Sequence, residues 1–272
     1  MKPKVIVITG ASAGIGAAAA RRLASDGHRL VLVGRSAERT AAVAGEIGAD
    51  HLVADFARLS QVRRLAAGLL QRFPRIDVLA NNAGLVKSRR TITEDGHELT
   101  LQVNHLAPFL LTDLLLPTLL ASRATVVATS SGAHMGGRID LADLDHARRY
   151  RMMRAYSDSK LAQVLHTREL HRRYAGQGLA SAAFHPGVIA SRFATTEQGP
   201  VGWAYRWPIA KLLFGSPDAG ADTLVFLAAG TAGADFASGE YFVRRRVSRT
   251  NPQADDPALA AALWEKSATL VS

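Results

Sequence analysis

The sequence lacks cysteine entirely and contains no long apolar run. Without cysteine the protein cannot form disulfides, use a thiolate nucleophile or bind zinc or iron–sulfur clusters through cysteine. Its apolar runs stop well short of the ~20 residues that cross a bilayer. The chain opens with two lysines and a short apolar run, which is not the pattern of a signal peptide. We therefore expect a cytoplasmic protein with no targeting segment and no integral membrane segment.

Lysine and aromatic residues are also scarce. Only 6 of the 33 basic residues are lysine, so the net charge of +10 comes from arginine, and aromatic residues make up 6% of the chain. The arginines are spread over many predicted elements, and only Arg244–Arg246 forms a run. They are not interleaved with aromatic residues, as they are on nucleic-acid-binding surfaces, so we expect a solvated basic surface and no nucleic-acid partner. The charge alone keeps a nucleotide-sensing or nucleic-acid-binding protein open as an alternative.

What the sequence does contain is a regular alternation of short β-branched runs and longer helical patterns. Strands are predicted at 5–9, 29–34, 51–54, 76–80, 124–130, 179–185 and around 241–243. Helices are predicted up to residue 26 after the first strand, and then at 37–48, 59–73, 95–120, 155–175, 218–229 and 257–270. Continuously apolar strands are typical of a parallel sheet covered on both faces. The sequence thus predicts a single α/β domain over residues 1–272: a doubly wound Rossmann domain with a parallel sheet of about seven strands flanked by helices.

A glycine-rich turn follows the first strand and opens the first helix. Its residues are Gly10, Ala11, Ser12, Ala13, Gly14, Ile15 and Gly16. Glycines at this point permit a tight turn and let backbone N–H groups and the helix N-terminus approach a pyrophosphate. The spacing Gly-x-x-x-Gly-x-Gly differs from the usual dinucleotide fingerprint. We expect Gly10, Ser12, Ala13, Gly14, Ile15 and Gly16 to contact a dinucleotide cofactor.

The end of the second strand indicates which dinucleotide is bound. A carboxylate there would accept a hydrogen bond from a free ribose 2′-hydroxyl, but this chain has Arg35 followed by Ser36. A guanidinium suits a 2′-phosphate, and the hydroxyls of Ser12 and Ser36 are possible additional donors. The sequence therefore favours NADP(H) over NAD(H).

Two further strand ends carry polar residues. Asp55 follows the third strand, where its carboxylate could accept from an adenine amino group, cap the next helix, or do both. Asn81-Asn82-Ala83-Gly84 ends the fourth strand, at the sheet edge where open α/β folds bind ligands. We expect Asn82, Ala83 and Gly84 to border the cofactor.

Candidate catalytic residues come from three other elements. Tyr156 and Lys160 are four residues apart, so the phenol and the ammonium share one face of a predicted helix, and the positive charge favours the phenolate needed for acid–base chemistry. The pair Ser130-Ser131 ends the fifth strand and can offer a hydroxyl to a substrate oxygen. Asn104 lies inside a helical pattern where asparagine has poor propensity, and it could hold a water.

These motifs together resemble the short-chain dehydrogenase/reductase family. TGASAGIG at 9–16, NNAG at 81–84, Asn104, a serine pair at 130–131, YSDSK at 156–160 and HPG at 185–187 stand in the family's order and at its spacings. VNHLAPFLLTDLLLP at 103–117, SSGAH at 130–134, the 25-residue step from Ser131 to Tyr156 and HPGVIASRF at 185–193 are similar to the retinol-dehydrogenase-like branch.

The resemblance implies a role for each matching residue. Tyr156 would be the acid/base, Lys160 would hold the nicotinamide ribose, Ser131 would orient the carbonyl or hydroxyl, and Asn104 would support a proton-relay water. Pro186, Gly187 and Val188 would flank the nicotinamide carboxamide. Ser191 stands where the family usually has threonine, and it keeps the hydroxyl.

The expected function follows from these roles. The protein would be an NADP(H)-dependent carbonyl reductase or alcohol dehydrogenase acting on a bulky apolar ketone, aldehyde or secondary alcohol. The most specific version of this expectation is a bacterial secondary-metabolite ketoreductase. An epimerase, dehydratase or cyclase that uses the bound nucleotide without net redox turnover is the alternative.

The remaining expectations concern the substrate, metals and assembly. A substrate loop at 188–217, rich in aromatic residues, and the segment 132–154 would bound an apolar substrate. We expect no metal site, because no histidine pair, His105, His134 and His185 included, has ligand spacing with a carboxylate. The resemblance also implies a possible homodimer through the helices near 108–120 and 156–175.

Overall fold

The computed structural model describes residues 2–187 and 216–272. Its strands are β1 (Val5–Thr9), β2 (Arg29–Gly34), β3 (Asp50–Val53), β4 (Val78–Asn81), β5 (Thr125–Thr129), β6 (Ala180–His185), β7 (Glu240–Val243) and β8 (Arg246–Val247). Its helices are α1 (Gly14–Ser25), α2 (Ala37–Ile47), α3 (Leu59–Arg72), α4 (Leu99–Ala121), α5 (Met152–Tyr174), α6 (Pro217–Ala229) and α7 (Pro257–Val271). The predicted alternation of strands and helices is confirmed.

The strands form one sheet in the order β3-β2-β1-β4-β5-β6-β7-β8. All neighbouring pairs are parallel except β7 and β8, which form a tight antiparallel hairpin. The predicted Rossmann architecture is therefore confirmed. The sequence predicts about seven strands, and β8 is the additional one. It escapes prediction because its two residues, Arg246 and Val247, are too few to show a strand pattern.

The sheet is buried on both faces, as the continuously apolar strands predict. Ile6, Val7 and Ile8 of β1 are completely buried. One face packs against α3, α4 and α5, and the other packs against α1, α2 and α6. The hydrophobic core thus lies in two layers on either side of the sheet.

The chain changes direction in the sheet between β1 and β4. From β1 it adds strands outward to β3, then returns to add β4 on the other side of β1. At such a switch point the loops after neighbouring strands diverge and leave a crevice at the carboxyl edge, where open α/β folds bind ligands. The predicted cofactor and catalytic residues of the described chain all belong to this edge or to helices beside it.

Helix α4 is continuous but irregular. Residues Gln102–Leu106 form a π-helical segment between α-helical turns, and Pro108 follows it directly. Among the described residues α4 is the one helix long and apolar enough to cross a membrane, and 67% of that stretch is buried inside the fold. A core helix of a globular domain has this burial.

The last helix, α7, packs across α4 and α5. The indole of Trp264 lies 5.0 Å from the ring of Phe109, 5.3 Å from that of His166 and 6.2 Å from that of Tyr174, centroid to centroid. The guanidinium of Arg173 stacks on the same indole at 4.6 Å. This aromatic cluster fixes α7 on the outer side of α5.

Two basic residues hold α6 against the rest of the domain. The Lys4 ammonium donates to the main-chain carbonyls of Ala228, Ala229 and Gly230, at 3.0, 2.9 and 2.7 Å, and so satisfies the C-terminus of α6. In the turn between β7 and β8, exposed Arg245 pairs with Asp222 of α6. Arg244 and Arg245 form this turn, Arg246 begins β8, and all three are exposed, in keeping with the solvated basic surface that the sequence predicts.

Candidate active site

The glycine-rich turn is shaped for a phosphate group. Gly10 and Gly14 have positive φ angles of 67° and 58°, which only glycine adopts without strain. A Cβ on Gly10 would lie 2.8 Å from the Cα of Ala83, whereas one on Gly14 would meet nothing within 4 Å. Gly10 therefore allows close packing against the end of β4, and Gly14 leaves open space above the turn.

The N-terminus of α1 faces that open space. Ala13 is its N-cap residue and offers no side-chain hydrogen bond to the first turn. The first N–H groups of a helix need external acceptors, and together with the helix dipole they attract anions. The turn and the helix N-terminus fit the pyrophosphate of a dinucleotide.

The end of β2 lies against the same turn. A Cβ on Gly34 would be 3.1 Å from the Cβ of Ser12, so the two backbones approach closely. Arg35 follows with an exposed side chain, and the Ser36 hydroxyl accepts a hydrogen bond from the N–H of Arg39 to cap α2. The end of β2 is thus followed by a cation at Arg35 and a hydroxyl at Ser36, and Ser12 packs against Gly34.

Asp55 serves the backbone just before α3. Its carboxylate accepts from the N–H of Ala57 at 3.0 Å, and its own N–H donates to Gln61 at 2.9 Å. The N-cap of α3 is Arg58, so Asp55 stabilises the turn that leads to the helix rather than the helix end itself. The carboxylate thus makes a capping-type bond, but to the turn before α3 and not to the helix itself. The adenine contact stays a prediction.

Asn82 connects three strand ends. Its amide nitrogen donates to the carbonyl of Thr9 at 2.9 Å, and its amide oxygen accepts from the hydroxyl of Thr129 at 3.1 Å. The hydroxyl of Thr9 in turn accepts from the N–H groups of Asn82 and Ala83. Since its side chain holds β1, β4 and β5 together, Asn82 contributes to a ligand site by placing the backbone of Ala83 and Gly84.

Gly84 lets two catalytic candidates approach one another. A Cβ on this residue would lie 3.2 Å from the amide oxygen of Asn104 and 3.3 Å from the Nζ of Lys160. Any larger side chain would push between them. The glycine of the NNAG sequence thus brings the loop after β4 close to both α4 and α5.

Tyr156 and Lys160 lie one turn apart on α5, as predicted. The Lys160 ammonium lies 5.7 Å from the centroid of the Tyr156 ring and donates to the carbonyl of Thr129 at 2.9 Å. Burial lowers the pKa of Lys160 to about 7. A buried lysine beside a half-buried phenol at the carboxyl edge of the sheet is the arrangement that acid–base chemistry requires.

The two serines after β5 have different environments. Ser130 is buried, and its hydroxyl donates to the main-chain carbonyl of Lys160 at 2.9 Å. Ser131 is partly exposed, and its hydroxyl accepts from the N–H of Ala133 at 3.2 Å. Because that bond leaves the Ser131 proton free to be donated, the local geometry favours Ser131 as the group that meets a substrate oxygen.

Asn104 lies in the π-helical segment of α4, a feature common at functional sites. Its amide oxygen accepts from the N–H of Leu85 at 2.8 Å, and its amide nitrogen donates to the carbonyl of Leu85 and to the hydroxyl of Ser159. The Ser159 hydroxyl then donates to the carbonyl of Tyr156 at 2.7 Å. The side chain of Asn104 therefore joins the loop after β4 to the catalytic helix.

The three histidines have structural partners. His185 accepts from the N–H of Gly132 at 3.2 Å, His134 donates to the carbonyl of Ser131 at 2.6 Å, and His105 donates to the hydroxyl of Ser267 at 2.8 Å. Burial lowers the pKa of all three imidazoles, that of His105 to about 4. Within residues 2–187 and 216–272 no group of three potential ligands is placed to hold a metal ion.

Part of the expected site lies outside the described residues. Pro186 and Gly187 follow β6, Gly187 with a φ angle of 88°. Val188, Ser191 and the aromatic residues Phe193, Trp203, Tyr205, Trp207 and Phe214 fall in the part that is not described.

Sequence reasoning missed Gln163, one turn after Lys160. Its amide oxygen accepts from the Lys160 ammonium at 3.3 Å, and its amide nitrogen donates to the main-chain carbonyl of Asn104 at 2.7 Å. Pro108 was a usable signal, because a proline removes the N–H that the carbonyl four residues earlier would accept in a helix. That carbonyl belongs to Asn104.

Comparison with known proteins matches this geometry. The family model described as short chain dehydrogenase matches residues 4–199. The DnrU protein of Streptomyces sp. (strain C5), to which daunorubicin C-13 ketoreductase activity is ascribed, is 43% identical over 275 residues, covering 98% of this chain and 92% of that protein. Human retinol dehydrogenase 13 is 39% identical over 290 residues, covering 98% of this chain and 84% of that protein.

A solved structure agrees as well. The alcohol dehydrogenase from the archaeon Thermococcus sibiricus, complexed with 5-hydroxy-NADP, matches with a TM-score of 0.66 and 26% identity, covering 85% of this chain and 92% of that one. The family expected from the sequence motifs is confirmed. The chain is an oxidoreductase with a nicotinamide-cofactor fold, and it belongs to the short-chain dehydrogenase/reductase family, in its retinol-dehydrogenase-like branch.

Proposed function

We propose that the protein is an NADP(H)-dependent carbonyl reductase, or an alcohol dehydrogenase in the reverse direction, for a bulky apolar ketone, aldehyde or secondary alcohol. The observation that carries this proposal is the buried Lys160 ammonium, 5.7 Å from the ring of Tyr156. It lies at the carboxyl edge of the sheet, where Ser131 offers its hydroxyl.

Each catalytic residue has one task in this mechanism. The chemistry that the cofactor supplies when bound is hydride transfer between its nicotinamide C4 and the carbonyl carbon of the substrate. Tyr156 donates its phenolic proton to the carbonyl oxygen during reduction, and Ser131 donates a hydrogen bond to the same oxygen as negative charge develops on it. The charge of Lys160 stabilises the phenolate that remains. Asn104 keeps the catalytic helix against the loop after β4.

Preference for NADP(H) is supported by Arg35. Arg35 directly follows β2 with an exposed side chain, Ser36 is the next residue, and no carboxylate stands in its place. Such a cation can form charge-assisted bonds with a 2′-phosphate. The ligand of the archaeal alcohol dehydrogenase, 5-hydroxy-NADP, is of the same class.

The other cofactor contacts follow the same order along the chain. The pyrophosphate would be held by the glycine-rich turn, at Gly10, Ser12, Ala13, Gly14, Ile15 and Gly16. Asp55 would contact the adenine, and Ala83 and Gly84 would border the cofactor. Pro186, Gly187, Val188 and Ser191 would flank the nicotinamide, and Lys160 and Tyr156 its ribose.

An apolar, ring-bearing substrate is supported by two observations. Met135 and Met153, which flank Ser131 and Tyr156 in the chain, are 51% and 55% exposed, and flexible thioethers adapt to varied apolar ligands. The names of two relatives refer to daunorubicin and retinol. We place this activity in a bacterial secondary-metabolite pathway, in the cytoplasm, with residues 188–217 as the substrate loop.

A homodimer through α4 and α5 remains part of the proposal. Helix α7 covers the face around Phe109 and His166, so the contact would use the outer strip of α4 around exposed Asp113 and Pro117. Sedimentation of the purified chain tests this: a dimer supports the proposal, and a monomer at all concentrations contradicts it.

The first experiment is titration of the purified protein with NADPH and NADH, followed by a panel of aliphatic aldehydes, retinoid enals and polycyclic aromatic ketones. We expect tighter binding of NADPH, turnover of at least one ring-bearing carbonyl, and loss of turnover in Tyr156→Phe. Tight binding of NADPH with no absorbance change for any carbonyl would favour the non-redox alternative. Failure to bind either cofactor would contradict the whole assignment.

A further inference from the structure

The main-chain carbonyl of Asn104 lacks the donor that a regular α-helix would give it. In an α-helix it would accept from the N–H of residue 108, but that residue is proline and has none. The helix around it is π-helical from Gln102 to Leu106. A buried carbonyl is costly to leave short of donors, so a buried side-chain group that donates to it is stabilising.

The side chain of Gln163 is that group. Its amide nitrogen lies 2.7 Å from the Asn104 carbonyl oxygen, and the whole residue is buried. The reverse orientation of the amide would place two acceptors against each other at Asn104 and two donors against each other at Lys160. The hydrogen-bond partners therefore fix the amide in one orientation.

This orientation aims the Gln163 carbonyl oxygen at the Lys160 ammonium, 3.3 Å away. The ammonium also donates to the carbonyl of Thr129 at 2.9 Å. Among the described residues no carboxylate lies within ion-pair distance of Lys160. The charged form of this buried lysine thus depends on two neutral oxygen dipoles, and Gln163 supplies one of them.

Other titratable groups face this pair from the neighbouring elements. Tyr156 lies on α5 itself, and Tyr241 lies near it on β7. Burial raises the pKa of Tyr241, and a phenolate on Tyr156 raises it further. His134 contacts Tyr241 with ring centroids 4.4 Å apart, and His185 ends β6. Burial lowers the pKa of both imidazoles, so both are neutral where Tyr156 titrates. Asp158 faces away and bonds to Arg154 and to the N–H of Arg138.

We infer that Gln163 is a positioning residue for the proposed reaction: its amide links the Lys160 ammonium to the Asn104 carbonyl and keeps that ammonium charged beside Tyr156. The inference rests on the proposed function for its consequence, but not for its test. Lys160 and Tyr156 are close enough to titrate as a coupled pair. Without the amide oxygen the pair loses its first proton from Lys160, and the phenolate of Tyr156 forms only afterwards, with no positive charge beside it. Tyr156 then ionises at higher pH.

The test follows the ionisation of Tyr156 by the ultraviolet absorbance of tyrosinate in the full-length chain. Subtracting the titration of Tyr156→Phe isolates this tyrosine from the other four. The test variant is Gln163→Met, which keeps the length of the side chain but has neither amide group. We expect its Tyr156 titration to move to higher pH by about half a pKa unit to one unit. No shift would overturn the inference.

A matched control separates this effect from general destabilisation. Thr167→Val removes the hydroxyl that donates to the main-chain carbonyl of Gln163 at 2.9 Å but leaves the Gln163 amide in place. We expect Thr167→Val to lower stability and leave the tyrosinate titration unchanged. An equal shift in both variants would assign Gln163 a structural role only.

Two further readouts keep the test decisive. If Gln163→Met does not fold, Gln163→Asn replaces it, since the shorter amide cannot span both partners and should shift the titration in the same direction. Where alcohol oxidation is measurable, its pH profile should move with the tyrosinate titration. The titration needs neither cofactor nor substrate. It therefore tests the role of Gln163 even if the protein reduces no carbonyl. Failure of the proposed function would be seen separately, in the activity assay.

Discussion

The hydroxyl of Ser130 donates a 2.9 Å hydrogen bond to the main-chain carbonyl of Lys160. This bond ties the end of β5 to the catalytic helix and leaves the neighbouring Ser131 hydroxyl to face the site. We therefore expect separate tasks for the two serines: Ser130 holds the helix, and Ser131 meets the substrate.

Replacing each serine by alanine should separate these tasks. Ser131→Ala is expected to lower kcat by about 10²–10³-fold, as when one preorganised donor to a developing oxyanion is lost. Ser130→Ala should mainly lower the free energy of unfolding, by about 1 kcal/mol, because it removes a buried hydrogen bond. Steady-state kinetics and urea unfolding of both variants check this. Equal kinetic losses would contradict the assignment of Ser131.

Arg35 should determine the cofactor preference. In Arg35→Asp we expect the affinity for NADPH to fall by about 10–100-fold, since charge-assisted bonds to the 2′-phosphate are lost. The affinity for NADH should stay level or rise, because a carboxylate can accept from a free 2′-hydroxyl. Calorimetric titration with both cofactors measures the effect.

The control for this prediction is Arg64→Asp, which makes the same charge change at an exposed position of α3. It should affect both cofactors little. A parallel loss of NADPH and NADH binding in Arg35→Asp would show that Arg35 does not read the 2′-phosphate.

Lys4 should contribute to stability through α6. Lys4→Met leaves the carbonyls of Ala228, Ala229 and Gly230 without their common donor. We expect the free energy of unfolding to drop by about 1–2 kcal/mol. Urea denaturation measures it, with Lys2→Met at an exposed position as the control. Equal stability of the two variants would show that the cap at the end of α6 contributes nothing.

Two buried histidines should make the protein sensitive to acid. Burial lowers the pKa of His105 to about 4, and burial together with His105 lowers that of His166 to about 3. In the unfolded chain both titrate near 6.5, so below that pH the unfolded state binds more protons than the folded state. Their contribution to stability is complete above pH 6.5 and is lost as the pH falls toward 4 and 3.

The expected slope is about 1.4 kcal/mol per pH unit for each histidine over that range. Urea unfolding at a series of pH values measures it. His105→Asn should make the slope shallower, whereas His51→Asn, at an exposed position of β3, should not. Identical slopes for both variants would contradict the prediction.

The strands and the glycine-rich turn could be predicted from the sequence, because each depends on local pattern. The catalytic roles of Asn104, Ser131, Tyr156 and Lys160 stay predictions. The link from Gln163 to Asn104 escaped, since it joins two helices whose relative placement depends on tertiary packing. The bonds of the Asn82 side chain between strand ends also escaped, and its expected place beside the cofactor stays a prediction. Its neighbours in space, Thr9 and Thr129, come from strands far apart in the chain.

Burial of the Tyr156 helix depends on residues far downstream. The face of α5 that includes His166 is covered only when Trp264 of α7 packs against it. During synthesis the ribosome must therefore release α7 before this apolar face is shielded from water. We therefore expect the nascent chain to carry α5 with one apolar side exposed to water until Trp264 has left the ribosome.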